Sequence, residues 1–212
     1  ATGLVGYWNF DDNNGTHVFD LSNDNLGLLR DNTTVADTKM GNALQLDGDG
    51  DYVDVGNDHP EIDVSRQFTI SLWVKTAYIG DAVNVILVNG NNYASTSTSK
   101  YYFLFNGFAD YFAFYISNST DNDVVDTQNS LNVNVWYHVV SVVNDTHLSI
   151  YLDGSHEETQ PITITGTEED DYVKIGSRSP SHDFWNGSID EVMIWDRALS
   201  GSQIKALYEL GQ

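Results

Sequence analysis

Short apolar segments alternate with connections rich in Asn, Asp, Gly and Ser along almost the whole chain, and this alternation limits the folds open to it. In residues 68–75 (FTISLWVK), Phe, Ile, Leu and Val occupy every second position, as in a strand with one face in a core. Similar segments occupy residues 101–105, 112–116, 136–143 and 148–152. Short strands separated by turn signals predict an all-β fold in which two antiparallel sheets form a sandwich.

The two ends of the chain complete this pattern. Residues 185–210 (WNGSIDEVMIWDRALSGSQIKALYEL) begin with strand-like residues, and Ser200 and Gln203 then have the spacing of a helical capping box. Apolar residues recur at helical spacing from Ile204 to Leu210. With a strand-like start at residues 3–10 (GLVGYWNF), this predicts one closed domain over residues 1–212, ending in one short helix.

Composition excludes several classes of partner. The chain of 212 residues has 31 acidic and 9 basic residues and a formal net charge of −22, so it lacks the basic surface that nucleic acids require. We expect no direct membrane insertion either, because no apolar run reaches the length of a membrane span. The acidity is consistent with a saline habitat, with a calcium-rich surface environment, or with repulsion that keeps a secreted protein soluble.

Five Asn-x-Ser/Thr sequons are candidate glycosylation sites, and they favour an extracellular or cell-surface location. They begin at Asn14, Asn32, Asn118, Asn144 and Asn186. The absence of Cys means that stability must come from the core or from a metal ion.

The order of the segments resembles the concanavalin A-like jelly rolls, and most closely the laminin-G-like domains of bacterial and archaeal surface proteins and secreted enzymes. The segments that carry the resemblance are GLVGYWNFDD, DLSNDNLG, GNALQLDGDGDYVDV, FTISLWVK, WYHVVSVVNDTHLSIYLDG, YVKIGSR and WNGSIDEVMIWDRALS. The resemblance implies a jelly roll whose first and last strands are neighbours. It covers almost the whole chain.

An oxygen-rich set of residues is a candidate calcium site, since Ca2+ takes six to eight oxygen ligands. The set consists of Asp11, Asp20, Asn23, Asn25 and Asp190. The resemblance implies a structural Ca2+ near the join of the first and last strands, with Asp190 as a ligand and Asp20, Asn23 and Asn25 in the Asp/Asn-rich loop. The alternative is that these residues only cap turns, as Asp and Asn commonly do.

In two further acidic segments we predict neither a metal site nor a catalytic site. Residues 47–55 (DGDGDYVDV) lack the Glu that completes an EF-hand loop, so we predict a turn that leads into a strand at 52–55. Glu61 and Asp63 resemble the start of a β-glucanase motif, but Ser65, Arg66 and Gln67 stand where the second Glu would be. Because retaining glycosidases need two carboxylates, we expect a non-catalytic protein.

An aromatic hairpin around Asn106 and Gly107 is the candidate ligand surface, because aromatic faces stack on sugar rings and Asn-Gly favours a tight turn. The residues predicted to bind are Tyr102, Phe108, Tyr111 and Tyr115. Alternatively, both rows of aromatic side chains are simply buried.

Two hypotheses follow for the function. The first is an extracellular binding or adhesion module that recognises carbohydrate or a partner protein surface and carries a structural Ca2+. The second is a structural subunit of a filament, sheath or adhesin that self-associates through its sandwich surfaces.

Overall fold

The structure, a computed structural model, describes residues 2–37, 39–56, 67–80, 83–89, 101–106, 110–117, 121–128, 130–164 and 172–212. Within these ranges it describes the side chains of all residues except 37 and 101–106.

The described residues form strands and one C-terminal helix, as the sequence predicts. In chain order the elements are β1 (Leu4–Trp8), β2 (His17–Val18), β3 (Gly27–Arg30), β4 (Thr34–Asp37), β5 (Asn42–Asp47), β6 (Tyr52–Gly56), β7 (Phe68–Thr76), β8 (Asn84–Asn89), β9 (Tyr101–Asn106), β10 (Phe112–Ser117), β11 (Asn122–Asp126), β12 (Trp136–Val143), β13 (His147–Leu152), β14 (Ser155–Pro161), β15 (Val173–Ile175), β16 (Ser177–Ser179), β17 (His182–Phe184), β18 (Asn186–Trp195) and α1 (Gly201–Leu210).

Two antiparallel sheets contain most of these strands. The first sheet has the order β14-β13-β12-β7-β18-β5-β4, and β1 also pairs with β18. The second sheet has the order β11-β10-β9-β8-β15-β6-β3-β2, while β16 and β17 form a separate two-stranded ribbon. The predicted sandwich of two antiparallel sheets with one C-terminal helix is therefore confirmed.

The first and last strands are neighbours, as the resemblance implies. β1 pairs with β18 from Leu4 opposite Trp195 to Trp8 opposite Val192. Beyond this pairing, the amide of Asp196 donates to the carbonyl of Gly3 at 2.9 Å. The guanidinium of Arg197 donates to the carbonyl of Thr2 at 3.0 Å. Hydrogen bonds thus join the first residues to the segment that precedes α1.

The core lies between the two sheets and contains large aromatic side chains. Phe68 of β7 meets Phe114 of β10 edge to face, with ring centroids 6.0 Å apart. Phe112 of β10 meets Tyr137 of β12 in the same way at 5.9 Å. Both contacts join one sheet to the other, and edge-to-face pairs contribute about 0.5–1.5 kcal/mol beyond the area that they bury.

The helix covers the outer face of the first sheet. Ser200 accepts a hydrogen bond from the amide of Gln203 and the Gln203 side chain accepts one from the amide of Ser200, which confirms the capping box. Ile204 is fully buried against the outer face of the sheet. Tyr208 stacks on Trp73 with ring centroids 5.7 Å apart, so β7 is buried on both faces, whereas its sequence predicts burial on one. No helix in the described part of the chain is long and apolar enough to cross a membrane.

Two local predictions are confirmed. The backbones of β9 and β10 pair as a hairpin from Asn106 opposite Phe112 to Tyr101 opposite Ser117, as predicted. Asn106 itself is paired in β9, however, so it does not form the predicted tight turn, and Gly107 lies outside the described residues. Residues 48–50 form a bend before β6, and the Asp47 carboxylate accepts the amide of Asp49 at 2.8 Å.

The buried histidine beneath α1 generates a prediction about pH. Burial lowers the pKa of His138 to about 4, whereas an unfolded chain has a histidine pKa of about 6.5. The unfolded chain therefore binds more protons between these values, and the contribution of this residue to stability is lost as pH falls from about 6.5 to 4. We expect His138→Gln to flatten the pH dependence of the unfolding free energy in this window by up to about 1.4 kcal/mol per pH unit.

Urea unfolding at a series of pH values measures this slope. His156→Gln, at an exposed position of β14, is the matched control and should change the slope less. Equal slopes for His138→Gln and the wild type would contradict the prediction.

Candidate functional site

A row of residues crosses the outer face of the second sheet, and we call it the cross-strand row. The register of the strands places its members opposite one another, and their sequence neighbours Val53, Leu87, Phe114 and Ile175 lie in the main core. Because side chains alternate along a strand, the row faces away from the core. Its members with described side chains are His17, Leu28, Asp54, Lys174, Val88, Tyr115 and Val124.

A polar cluster occupies the middle of this row. The Asp54 carboxylate accepts hydrogen bonds from Nε and Nη2 of Arg30 at 3.1 and 2.5 Å, and from the Tyr172 hydroxyl at 2.9 Å. The Lys174 ammonium lies 3.5 Å from the centroid of the Tyr172 ring. Donors from two different strand regions therefore converge on one carboxylate, beside a cation held over an aromatic face.

Burial perturbs the titration of this cluster. Lys174 is 8% exposed, and desolvation lowers the pKa of its amine to about 8, although the negative charge of Asp54 opposes that shift. Burial also raises the pKa of Tyr172, and its hydrogen bond to Asp54 acts in the same direction. A buried amine between a carboxylate and an apolar surface is a feature that often marks a functional site.

An apolar cluster lies beside the polar one on the same face. Tyr111 and Tyr115, both predicted to bind a ligand, pack against this cluster. The cluster also contains Val83, Val85, Val88, Ala113 and Val124. Both tyrosines are partly exposed, and burial raises the pKa of Tyr115. The outer face of the second sheet thus combines aromatic rings with charged hydrogen-bonding groups.

The side chains of the other two residues predicted to bind a ligand lie outside the described set. The backbone of Tyr102 pairs with Ile116 and Asn89, but its side chain is outside the described set. Phe108 lies outside the described residues altogether. Binding by these two residues stays a prediction.

The residues predicted to bind calcium separate into two groups, of which the first surrounds Asp20. Oδ1 of Asp20 accepts the amide of Tyr7, the amide of Ser22 and the Ser22 hydroxyl at 2.7–2.8 Å. Oδ2 accepts Nδ2 of Asn25 at 2.6 Å. Asn23 and Asn25 both donate to the carbonyl of Val5. Hydrogen bonds engage this carboxylate fully, so the group is satisfied without a cation.

The second group contains Asp11 and Asp190, which hold the segment between β4 and β5. Oδ1 of Asp11 accepts the amide of Asn42 at 2.7 Å, and Oδ2 of Asp190 accepts the amide of Met40 at 3.3 Å. Asp190 is fully buried, and desolvation, followed by repulsion from Glu191, raises its pKa to about 7.

This second group fits a cation better than the first, because its buried charge lacks a partner. None of the ion pairs found among the described side chains involves Asp11, Asp190 or Glu191. No three His, Asp or Glu side chains in the described ranges are close enough to hold one metal ion together. A Ca2+ ion at Asp190 would therefore need amide, carbonyl or water oxygens to complete its coordination.

The sequons differ in their surroundings. Asn14 and Asn144 occupy equivalent turns, in which Oδ1 accepts hydrogen bonds from the Thr and His two and three residues later. Asn32 is exposed and Asn186 is partly exposed in β18. Asn118 lies outside the described residues, as do Glu61 and Asp63. Glycosylation stays a prediction at all five positions.

Sequence reasoning missed the polar cluster around Lys174. The segment Tyr172–Ile175 (YVKI) alternates in the manner of a strand, so Tyr172 and Lys174 could have been assigned to one face. No local signal shows that Asp54 and Arg30 meet them there, because that contact depends on the pairing of β15, β6 and β3.

Comparisons with known proteins support the fold. A protein-family model described as the concanavalin A-like lectin/glucanases superfamily matches residues 47–205. A comparison with curated proteins found no significant match.

Several solved structures share the architecture. Domain 4 of an extracellular GH43 arabinanase from Geobacillus stearothermophilus, in complex with arabinotriose, matches with a TM-score of 0.77 and 19% identity over 99% of this chain and 98% of its own. The binding domain of botulinum neurotoxin DC in complex with SialylT has a TM-score of 0.77 and 14% identity over 100% of this chain and 52% of its own. The receptor-binding domain of a botulinum neurotoxin C/D mosaic serotype has a TM-score of 0.77 and 16% identity over 98% of this chain and 51% of its own. This chain spans about half the length of the two neurotoxin domains, and at these identities the likeness shows the fold alone.

The polar cluster generates a prediction about Lys174. Since the charge of Asp54 raises the pKa of this amine against the effect of burial, we expect Asp54→Asn to lower that pKa below its value of about 8. NMR titration of labelled lysine side chains measures the change. Asp49→Asn, in the exposed turn before β6, is the matched control. A Lys174 pKa that rises or stays constant in Asp54→Asn would contradict the coupling.

Proposed function

The chain belongs to the concanavalin A-like lectin/glucanases superfamily, and we propose that it is a non-catalytic extracellular module that binds carbohydrate on the outer face of its second sheet. The observation that carries the proposal is that Tyr111 and Tyr115 share this face with the Arg30–Asp54–Lys174 cluster, with β8 and β9 between Tyr115 and Lys174. The arabinotriose and SialylT complexes of the structural neighbours support carbohydrate as the class of ligand.

The chemistry of the face suits a sugar. A pyranose or furanose ring presents C–H groups that pack on aromatic side chains, and its hydroxyls both donate and accept hydrogen bonds. Tyr115 supplies an aromatic surface, while the guanidinium and ammonium groups of Arg30 and Lys174 supply donors. Asp54 holds Arg30 and Tyr172 in place through its hydrogen bonds and so orients the polar side of the surface.

The same cluster supports a role in binding rather than in hydrolysis. A retaining glycosidase needs an acid/base carboxyl group and a nucleophile about 5–5.5 Å apart. The Asp54 carboxylate accepts three hydrogen bonds from neighbouring side chains, two of them from the guanidinium of Arg30 and one from the hydroxyl of Tyr172. We therefore assign to Asp54 the role of orienting Arg30 and Tyr172.

We further propose that a structural Ca2+ ion binds at Asp190 and Asp11. The buried carboxylate of Asp190, the exposed carboxylate of Asp11 and the segment that they hold between β4 and β5 support this position. When bound, the ion would supply positive charge that offsets the desolvation of Asp190. The carboxylate of Asp190 accepts the amide of Met40, and the carboxylate of Asp11 accepts the amide of Asn42. The two side chains thereby orient the backbone of this segment. Assembly into a filament or sheath, the alternative function, stays a prediction.

The carbohydrate proposal is tested first by Tyr115→Ala. We expect the affinity for the best ligand on a glycan array to fall at least tenfold, or about 1.4 kcal/mol, because the substitution removes the aromatic surface from the cross-strand row. Tyr151→Ala is the matched control, since Tyr151 is also partly exposed but lies on the outer face of the first sheet.

Calorimetry on both variants, with circular dichroism to check folding, separates the outcomes. Equal losses in Tyr115→Ala and Tyr151→Ala, or binding unaffected by Tyr115→Ala, would contradict the placement of the site. Absence of any glycan ligand together with capture of a protein ligand by the same face would point to a protein partner instead.

The calcium proposal is tested by chelation. A cation present at 100 times its Kd stabilises the native state by about 2.7 kcal/mol, which corresponds to roughly 5–10 °C in Tm for a chain of this size. We expect a chelator to lower the Tm of the wild type and of Asp20→Asn by this amount, and to leave the Tm of Asp190→Asn unchanged. If the chelator does not lower the Tm of Asp20→Asn, the ion binds at the group around Asp20 instead. If the chelator does not lower the Tm of the wild type, the ion is excluded.

A further inference from the structure

A cavity of about 200 Å³ lies between the outer face of the first sheet and the end of α1, on the opposite side of the sandwich from the cross-strand row. Apolar side chains of Met40, Met193, Leu207 and Leu210 contribute to its wall, and Trp73 closes one side. The polar groups in the wall belong to Tyr7, Ser71, His138 and Glu191. A small molecule with an apolar part and one polar end fits this arrangement.

Glu191 is the charged group of the cavity, and an unusual backbone conformation holds it there. β18 shifts its register to β7 between Asp190 and Met193, and within this irregularity Glu191 has a φ of 51°. A non-glycine residue in the left-handed region in the middle of a strand is strained, and such strain occurs most often at functional sites. Its carboxylate is 7% exposed, and Oε2 accepts the hydroxyl of Tyr7 at 2.8 Å.

The electrostatic surroundings of Glu191 favour a positively charged ligand. Glu191 is buried, and the residue before it in β18, Asp190, is a second buried acidic residue. No ion pair found among the described side chains balances this charge. Since a buried carboxylate is stabilised by an opposite charge, the site is incomplete without a cation.

His138 supplies a second polar group that lacks a partner. It is 2% exposed, and its Nε2 lies 2.8 Å from the Ser71 hydroxyl. Among the described residues, no group forms a hydrogen bond with its buried Nδ1. If Nε2–H donates to Ser71, Nδ1 carries the lone pair and can accept a hydrogen bond from a ligand. A buried polar atom without a partner destabilises the folded state, and a ligand that donates to it would remove that destabilisation.

The lining disfavours a metal ion and favours an organic cation. No three His, Asp or Glu side chains of the described residues could coordinate one ion, and most of the wall is apolar. We propose that this cavity binds a primary alkylammonium group, which donates hydrogen bonds to the Glu191 carboxylate and His138 Nδ1 while its alkyl chain packs against Met40, Met193 and Leu207. This site is separate from the carbohydrate surface and adjoins the proposed calcium position, because Glu191 follows Asp190 in β18 and the amide of Met40 donates to Asp190.

Calorimetric and NMR titrations with n-butylammonium chloride test the proposal, in the presence of a chelator so that calcium is absent. We expect saturable binding to the wild type and to Glu209→Gln, whose carboxylate is exposed on α1 and outside the cavity lining. Glu191→Gln removes the charge and keeps the size of the side chain, so affinity should fall at least tenfold. The neutral analogue n-butanol should show no saturable binding over the same concentration range.

Equal binding of n-butanol, equal affinity in Glu191→Gln, or absence of saturable binding to the wild type would each overturn the proposal. If Glu191→Gln does not fold, the wild type alone remains decisive. Intermolecular NOEs from the butyl chain to the Met40 and Met193 methyl groups would then support the site, and their absence at saturating ligand would exclude it.

Discussion

The pairing of the last strand with three partners is the interaction on which the rest of the structure depends. β18 pairs with β1, β5 and β7, so it joins the start of the chain to the middle of the first sheet. The strand then leads into α1, which covers the outer face of the same sheet. As a result, α1 covers part of the outer face of the first sheet. The outer face of the second sheet is left to carry the aromatic and charged residues to which we assign binding.

The same strand carries acidic residues at buried positions, which in a sandwich are usually apolar. Asp190 and Glu191 are both buried in the middle of β18, at an irregularity that breaks the alternation of the strand. Neither carboxylate contributes to the apolar core, and both are destabilised by desolvation. Their position is best understood if each meets a positively charged group, which is why a calcium ion at Asp190 and an ammonium group at Glu191 are proposed as separate sites.

The fold could be predicted from local patterns because its main signals are local. Alternation in residues 68–75 and the capping box of Ser200 and Gln203 each act within a few residues. The candidate sites depend on distant pairings instead. Lys174 meets Asp54 only through the pairing of β15 with β6, and Asp20 binds the amide of Tyr7, which is 13 residues away in the sequence. The left-handed conformation of Glu191 has no sign in the sequence, since that position is not a glycine.

The central claim is that the second sheet, and not the first, presents the carbohydrate surface. Hydrogen–deuterium exchange of the intact protein, with and without the glycan that binds best, tests it most directly. The account predicts that the ligand slows exchange in β6, β10 and β15, whose residues form the cross-strand row, and leaves β12, β13 and α1 unchanged. Protection confined to the first sheet or to α1, at saturating glycan, would contradict it.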